Sequence, residues 1–270
     1  MTTPYETFSL ERSGPIVTVS FNRPAKLNPL NEQVLREFLA ITYELQEDED
    51  SRVVVLTGKG RSFSAGADMN ALSNSAKAET QATLTDTARL RMAKLGWRVM
   101  DEWERLDQIS IAAVNGFAVG GGVSLAMACD FRIAASGVRM WLPEVRLGVP
   151  YMWGSITRMI NLIGMAKAKE LVMTCDELTA EEACEVGLVN QVVPLEELHD
   201  AVHTFAQKLL NKPPMALRRT KEFFKALSTN KAGDITYADA HLGLACMLGD
   251  DMREAVAAFR EKRDPVFANR

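Results

Sequence analysis

Residues 117–130 read FAVGGGVSLAMACD: a short apolar strand pattern, three consecutive glycines, and then a small apolar run. The glycines stand where a helix should begin, and the first turn of a helix leaves backbone N–H groups without intrahelical acceptors. Three residues without side chains at that point allow another group to approach the backbone closely. This turn raises two questions: what it binds, and whether Ser124, two residues after the last glycine, takes part.

Strand and helix patterns alternate on both sides of this turn. Strands are predicted at Ile16–Phe21, 53–56, 110–114, Phe117–Val119 and 131–134, and helices at 31–45, with Asn31 as N-cap, and within 74–105. After Pro143 the chain is mostly helical, with helices predicted at 155–163, 166–173, 179–185, 195–210, 215–227, 236–248 and 251–262. We expect an α/β core over residues 1–195 and a helical region over 196–270 that packs against a neighbouring copy.

The composition is that of an ordinary folded protein. Of 270 residues, 47% are hydrophobic and 24% are charged, and the net charge of −4 gives no support for a nucleic acid or an anionic membrane as partner. The most apolar region, 109–130, lacks the ~20 unbroken apolar residues of a membrane span, and the N-terminus does not resemble a secretory signal. We expect a cytoplasmic protein.

The cysteines and histidines give little support for metal or thiol chemistry. Cys129, Cys175, Cys184 and Cys246 are far apart, which favours reduced thiols over disulfides or a metal site. His199 and His203 have the i, i+4 spacing of a zinc helix, but aspartate stands where that motif has glutamate, and no third ligand follows. The glycines do not fit G-x-G-x-x-G, so no dinucleotide cofactor is expected.

A serine hydrolase is a second hypothesis. GVSLA at 122–126 nearly matches the G-x-S-x-G nucleophile elbow, and it lies between a strand and a helix as an elbow does. An elbow serine needs a histidine base, and His199, His203 and His241 all lie on predicted amphipathic helices. The sequence therefore favours another role for Ser124.

Two separate turns together predict an oxyanion hole. SAGAD at 64–68 and GGG at 120–122 each follow a strand, precede a helix and lack bulky side chains. Turns of this kind leave backbone N–H groups free to donate. If the two converge, each donor stabilises a developing anion by about 3 kcal/mol.

Glu144 is the candidate acid/base. It follows a proline in WLPEVRLG at 141–148, in an apolar stretch that continues with Val149 and Tyr151. Burial beside such neighbours raises the pKa of a carboxyl group, and a carboxyl group that titrates near neutral pH can both accept and return a proton.

Five segments together resemble the crotonase (enoyl-CoA hydratase/isomerase) superfamily. They are RPAKLNPLN at 23–31, FSAGADM at 63–69, AAVNGFAVGGGVSLAMACDFRIA at 112–134, PEVRLGVP at 143–150 and AFREKRDPVF at 258–267. The resemblance runs in order over nearly the whole chain. It implies an α/β spiral of ββα units with a helical C-terminal trimerisation region, assembled as a trimer or a dimer of trimers.

The resemblance also implies an acyl-CoA substrate, with coenzyme A as part of the substrate and no separate cofactor. It implies that the N–H groups of Ala67 and Gly121 hold the thioester oxygen and stabilise an enolate. The CoA-binding residues that it implies are Lys26, Leu27, Ala65, Ala67, Asp68, Met69 and Gly121, with Phe259 and Lys262 reaching the nucleotide from a neighbouring subunit. The acyl group would contact Ser124, Trp141, Tyr151, Met152 and Trp153.

Ser124 is the main departure from the family pattern. Hydratases of the family carry two glutamates; one matches Glu144 and the other falls on Ser124, whose hydroxyl is not an effective base near neutral pH. Isomerases need one carboxylate, so we expect Δ3/Δ2-enoyl-CoA isomerisation. The alternatives are an atypical hydratase or dehydratase, an enzyme that hydrolyses, decarboxylates or cleaves a C–C bond of an acyl-CoA, and a non-enzymatic CoA- or RNA-binding member.

Overall fold

In a computed structural model, which describes residues 5–69, 85–230, 244, 247 and 249–266, ten strands form two sheets. The strands are β1 (Phe8–Ser13), β2 (Ile16–Phe21), β3 (Val53–Gly58), β4 (Ser62–Ser64), β5 (Ile109–Val114), β6 (Phe117–Val119), β7 (Phe131–Ala135), β8 (Arg139–Trp141), β9 (Leu178–Thr179) and β10 (Gln191–Val193).

The two sheets alternate along the chain. The larger has the order β1-β2-β3-β5-β7-β10 and is parallel except for the β1–β2 pair; the smaller has the order β4-β6-β8-β9 and is parallel except for β8–β9. Each successive pair, β3–β4, β5–β6 and β7–β8, places one strand in each sheet. This is the spiral of ββα units that the resemblance implied.

The helices complete these units. In the described part of the chain they are α1 (Glu32–Gln46), α2 (Asp86–Glu104), α3 (Gly121–Met127), α4 (Ser155–Thr174), α5 (Ala180–Glu185), α6 (Leu198–Leu210), α7 (Pro214–Asn230) and α8 (Asp250–Glu261). The predicted cap at Asn31 is confirmed, because its side chain accepts a hydrogen bond from the N–H of Val34 at 3.0 Å. Gly164 has non-helical torsions, so the helices predicted at 155–163 and 166–173 are the two halves of α4.

Parts of two predicted helices cannot be compared. The first part of the helix predicted within 74–105 and most of the one predicted at 236–248 lie outside the described residues, as do His241 and Cys246. Between residues 85 and 230, and in the described segment 249–266, no helix is both long and apolar enough to span a membrane.

Large aromatic side chains fill the space between the larger sheet and the helices α1 and α2. Phe21, Phe38, Phe63 and Trp103 are all fully buried, and the rings of Phe38 and Trp103 lie 4.6 Å apart. Burial of rings of this size contributes on the order of 2–3 kcal/mol each, which makes this cluster a rigid support for the neighbouring strands.

Part of the region predicted to pack against another copy packs against its own chain. In α6, Leu198, Val202 and Ala206 are buried on the larger sheet, so α6 belongs to the core. On α7, Lys221 pairs with Asp130 at 2.7 Å. The same helix exposes Met215, Phe223, Phe224 and Leu227, each by more than half. Packing of such a face against a second copy stays a prediction.

Candidate active site

Three parallel strands of the smaller sheet end at one edge, and each is followed by a segment of the predicted site. β4 leads into SAGAD, β6 into GGG, and β8 into Leu142, Pro143 and Glu144. Val119, the last residue of β6, pairs with Trp141, the last residue of β8, while Ser64 pairs with Ala118. Because carboxyl ends of parallel strands meet at one edge, these distant segments lie together, where ligands bind in many α/β proteins.

The two glycine turns are in direct contact. A Cβ atom on Gly66 would lie 2.6 Å from the carbonyl oxygen of Val119, and one on Gly122 would lie 2.8 Å from the carbonyl oxygen of Ser64. Gly66 also has φ +74°, in the region that L side chains rarely adopt. Glycine is therefore required at these positions, because it allows the two backbones to approach each other.

Leu30 links the two predicted oxyanion donors. It forms a bridge with Ala67, in which its N–H donates to Gly66 at 2.7 Å and its carbonyl accepts from Asp68 at 2.9 Å. Its side chain reaches Gly121, since a Cβ there would lie 3.0 Å from Leu30 Cδ1. Within the described part of the chain, the N–H groups of Ala67 and Gly121 donate to no backbone acceptor. Both are therefore free to bind an anionic oxygen.

Asn28, which was not among the predicted site residues, fixes the SAGAD turn. This buried residue has φ +54°, and its amide donates to the carbonyls of Lys59 at 3.0 Å and Ser62 at 2.8 Å. Its Oδ1 accepts from the N–H of Arg23 at 2.9 Å, and its carbonyl accepts from Ser64 Oγ at 2.8 Å. The available signal was asparagine inside RPAKLNPLN, since asparagine tolerates left-handed torsions and hydrogen-bonds to nearby backbone.

The carboxyl group of Glu144 lies against the glycine turn. A Cβ atom on Gly120 would lie 2.3 Å from Glu144 Oε1, so the acid occupies the space left by the missing side chain. The other oxygen, Oε2, is buried and has no hydrogen-bond partner in the described part of the chain. Burial raises the pKa of Glu144 to about 7, although a hydrogen bond from its own backbone N–H partly offsets this. Such a group can exchange a proton near neutral pH.

Ser124 belongs to a buried cluster of hydroxyl groups. Its Oγ donates to the hydroxyl of Tyr151 at 2.9 Å and accepts from Ser155 at 2.7 Å. Burial, followed by the charge of Glu144, raises the pKa of Tyr151 far above its usual range. All three hydroxyls are therefore neutral near pH 7, and the cluster adds no second base next to Glu144.

The three remaining candidates for the acyl pocket differ in position. A Cβ on Gly121 would lie 2.6 Å from Trp153 Cζ3, so this indole lies beside an oxyanion donor. The ring of Trp141 instead packs edge-on against Phe117, 6.3 Å away, at the other end of β6 from the glycine turn. Met152 is partly exposed, and its carbonyl accepts from the N–H of Ser155 at 3.2 Å.

The predicted CoA-binding residues Lys26 and Leu27 lie on a surface turn that is hydrogen-bonded to the SAGAD segment. Lys26 is exposed at the end of a 3-10 turn, Pro24–Lys26, and the next residue, Leu27, has φ +64°. The carbonyl of Leu27 accepts from the N–H of Ala65 at 2.9 Å, which joins this turn to SAGAD. Asp68 lies 3.6 Å from the guanidinium of Arg23, so its carboxylate is oriented toward the loop.

Helix α8 lies beside the site of its own chain. A Cβ on Gly148 would lie 3.0 Å from Cα of Met252, and Arg260 donates to the carbonyl of Met69 at 3.3 Å. Phe259 is 60% exposed and Lys262 is exposed, so both are accessible to a ligand. The resemblance implied that these two residues reach the nucleotide from a neighbouring subunit, whereas in this single chain their helix contacts the same chain's site.

The rival chemistries gain no support from the geometry. His199 and His203 are exposed on α6, and the described ranges hold no group of three histidine, cysteine or acidic side chains placed to bind a metal ion. Cys129, Cys175 and Cys184 are free thiols. Within the described ranges Ser124 contacts hydroxyl groups and the carbonyl of Gly120, and neither His199 nor His203 is placed to activate it as a nucleophile.

Comparison with known proteins gives one family. The family model described as enoyl-CoA hydratase/isomerase matches residues 11–270. The chain is 37% identical over 258 residues to a short-chain-enoyl-CoA hydratase of Clostridium acetobutylicum, covering 94% of each protein. It is 35% identical to a carnitinyl-CoA dehydratase of Salmonella paratyphi A, covering 98% of this chain and 99% of the relative. A crystal structure of an enoyl-CoA hydratase from Bacillus anthracis superposes with a TM-score of 0.74 at 32% identity, covering 98% of this chain and 100% of the other.

Proposed function

Because the chain belongs to the enoyl-CoA hydratase/isomerase family, we propose that it acts on an acyl-CoA thioester through an enolate and that Glu144 is its only acid/base. The observation that carries this proposal is that the Glu144 carboxylate contacts Gly120, the residue next to Gly121. In the described part of the chain, the N–H of Gly121 donates to no backbone acceptor. Gly121 and Ala67 would donate to the thioester oxygen. The relatives' names support an enoyl-CoA as substrate class.

The reaction that this site supports best is Δ3/Δ2-enoyl-CoA isomerisation. The Glu144 carboxylate takes a proton from C2 of a 3-enoyl-CoA, and the electron pair moves to the thioester oxygen, where the two N–H groups stabilise the dienolate by about 3 kcal/mol each. Protonated Glu144 then returns the proton to C4, the C3–C4 double bond moves to C2–C3, and the carboxylate is regenerated. No water or second base enters the balance.

The environment of Glu144 suits both halves of this shuttle. A pKa of about 7 makes the carboxylate a stronger base than an exposed glutamate, and its conjugate acid still releases a proton readily at neutral pH. Among the described residues, Oε2 has no hydrogen-bond partner that would compete for the proton. The neutral hydroxyls of Ser124, Tyr151 and Ser155 hydrogen-bond to one another and offer no rival proton acceptor.

Hydration of a 2-enoyl-CoA, or the reverse dehydration, is the second candidate. It is favoured by the names of the relatives, a short-chain-enoyl-CoA hydratase at 37% identity and a carnitinyl-CoA dehydratase at 35%. In this reaction Glu144 would take a proton from water as its oxygen bonds to C3, and C2 would receive a proton from the same residue. The hydroxyl cluster around Ser124 would then orient the water.

A substrate panel separates the two reactions. The purified protein is given 3-enoyl- and 2-enoyl-CoA thioesters, and both double-bond migration and 3-hydroxyacyl-CoA formation are measured. We expect migration to exceed hydration. Hydration alone would establish the second candidate, and the absence of both reactions, together with no C2 proton exchange, would contradict the proposal.

Two substitutions locate the chemistry. Glu144→Gln should reduce turnover by about 10² or more while leaving CoA binding intact, whereas Glu170→Gln, on the exposed side of α4, should change neither. Nearly full activity of Glu144→Gln would show that another residue is the base.

Ser124→Glu should raise the rate of water addition if the rest of the hydratase geometry is present. No gain in that rate would indicate a pocket built for different chemistry.

A further inference from the structure

Trp153 has an unusual backbone conformation next to the active site. It has φ +66°, and the next residue, Gly154, has φ +69°, so two consecutive left-handed residues precede α4. A bulky side chain in this region is rare and costs about 1 kcal/mol or more. Strain of this kind is retained where the surrounding structure holds a side chain in a particular place.

A largely buried ion pair holds this turn. Arg158 donates to the carbonyl of Trp153 at 2.9 Å, and its guanidinium also forms two hydrogen bonds to Glu104, at 2.6 and 2.8 Å. The side chains of Arg158 and Glu104 are 13% and 27% exposed. Glu104 ends α2, so the clamp fixes the Trp153 turn relative to α2 as well as to α4.

The indole of Trp153 lies in a slot between two glycines. A Cβ on Gly96, in the middle of α2, would lie 2.1 Å from Cε2 and 2.2 Å from Nε1 of the indole. A Cβ on Gly121 would lie 2.6 Å from Cζ3 and 2.9 Å from Cη2. One edge of the ring system therefore touches α2 and the other touches the residue that carries an oxyanion donor.

We propose that Trp153 is the specificity-determining residue that closes the acyl side of the site and limits the enzyme to short acyl-CoA thioesters. This inference rests on the proposed function. If the thioester oxygen binds at Gly121, the first acyl carbons lie close to the indole edge that contacts Gly121. An acyl chain that continues toward α2 would meet this indole, which fills the space between Gly121 and Gly96.

The alternative role for Trp153 is that of an ordinary packing residue. In that case its removal would lower stability and slow the reaction of every substrate alike. A side chain that limits the length of the acyl pocket changes the preference among substrates instead. The ratio of kcat/KM for an eight-carbon thioester to that for a four-carbon thioester therefore distinguishes the two roles.

The first experiment measures that ratio in three proteins. Deuterium exchange at C2 of butyryl-, hexanoyl- and octanoyl-CoA is followed in the wild type, Trp153→Ala and the control Trp97→Ala, which removes an exposed indole next to Gly96. In the wild type we expect exchange to fall by about tenfold or more from butyryl- to octanoyl-CoA, and in Trp153→Ala we expect the ratio to rise by at least about tenfold. Trp97→Ala should leave the ratio unchanged.

The outcomes separate this inference from the proposed function. Exchange in the wild type with the same chain-length ratio in Trp153→Ala would overturn the role of Trp153 and leave the enolate chemistry standing. No exchange with any thioester would overturn the proposed function, and this inference with it. If Trp153→Ala does not fold, Trp153→Leu keeps an apolar side chain of smaller size and should shift the ratio in the same direction.

A second experiment tests the position of the indole without substrate. Gly96→Ala should lower the denaturation midpoint of the wild type, because the new Cβ collides with the ring. In the Trp153→Ala background the same substitution should raise the midpoint, because alanine favours a helix over glycine. An equal effect in both backgrounds would contradict the contact.

Discussion

Replacement of Glu144 by glutamine should make the protein more stable at high pH while it removes the catalytic proton acceptor. Burial raises the pKa of Glu144 from 4.5 to about 7, so the folded protein binds a proton at this site more tightly than the unfolded chain. Stability from this group is therefore fully present below pH 4.5 and is lost as pH rises through 7. A shift of this size corresponds to about 3 kcal/mol in total, and between pH 5 and pH 8 the wild type should lose ~2 kcal/mol of it.

The assay is urea denaturation of the wild type and Glu144→Gln at pH 5 and pH 8. Glutamine does not titrate, so the stability of the variant relative to the wild type should increase by about 2 kcal/mol between the two pH values. Glu170→Gln, on the protein surface, is the matched control, and it shows what the loss of one exposed carboxylate contributes at each pH. If the difference between Glu144→Gln and the wild type is the same at both pH values, Glu144 is not held in the buried, unpaired state described above.

Three further predictions follow from the same geometry. The kcat/KM for a 3-enoyl-CoA should rise with pH and level off above an apparent pKa of about 7, because Glu144 must be ionised to accept the C2 proton. If kcat/KM instead levels off below pH 5, the base is another group. Gly66→Ala should cost at least about 2 kcal/mol more than Gly137→Ala in urea denaturation, because both glycines have positive φ but only Gly66 faces a backbone oxygen at 2.6 Å; equal costs would contradict the contact between the two turns. Asn28→Ala should lose about 3 kcal/mol, since three hydrogen bonds of the side chain disappear, and a loss below about 1 kcal/mol would show that the loop does not depend on them.

Long strands and the glycine turns are readable in the sequence for a physical reason. β2 and β3 each lie between two other strands of the larger sheet, so nearly every residue is buried and each strand appears as a run rich in β-branched residues. The triple glycine is visible because a side chain at any of the three positions would collide with the Glu144 carboxylate, the Trp153 indole or the backbone of Ser64.

Most of the strands that were not predicted depend on contacts that no local pattern encodes. β4, β8 and β10 have three residues each, and they are strands only because a partner from another repeat lies beside them. The same limit applied to β9, which has two residues. β1 was missed for a different reason: FSLERS is mostly polar, because an edge strand is only partly buried.

The candidate catalytic residues of the site could be predicted from the sequence, but the residues that hold them in position could not. Glu144 stood out because an acid in an apolar stretch has few structural uses, and the structure places it on the glycine turn. The supports were hidden: Asn28 acts through hydrogen bonds to residues more than thirty positions away, and Trp153 depends on an arginine and a glutamate from two helices. Such long-range contacts become visible only once the chain is folded.

Exchange of the C2 protons of butyryl-CoA for deuterium, in the absence of any double bond, tests the central claim most directly. The reaction requires only an enolate, an oxyanion hole and one base, so it does not depend on whether the natural reaction is isomerisation or hydration. We predict that the wild type incorporates deuterium at C2 and that Glu144→Gln does so at least about 10²-fold more slowly. Failure of the wild type to exchange these protons, or equal exchange by Glu144→Gln, would contradict enolate chemistry at Glu144.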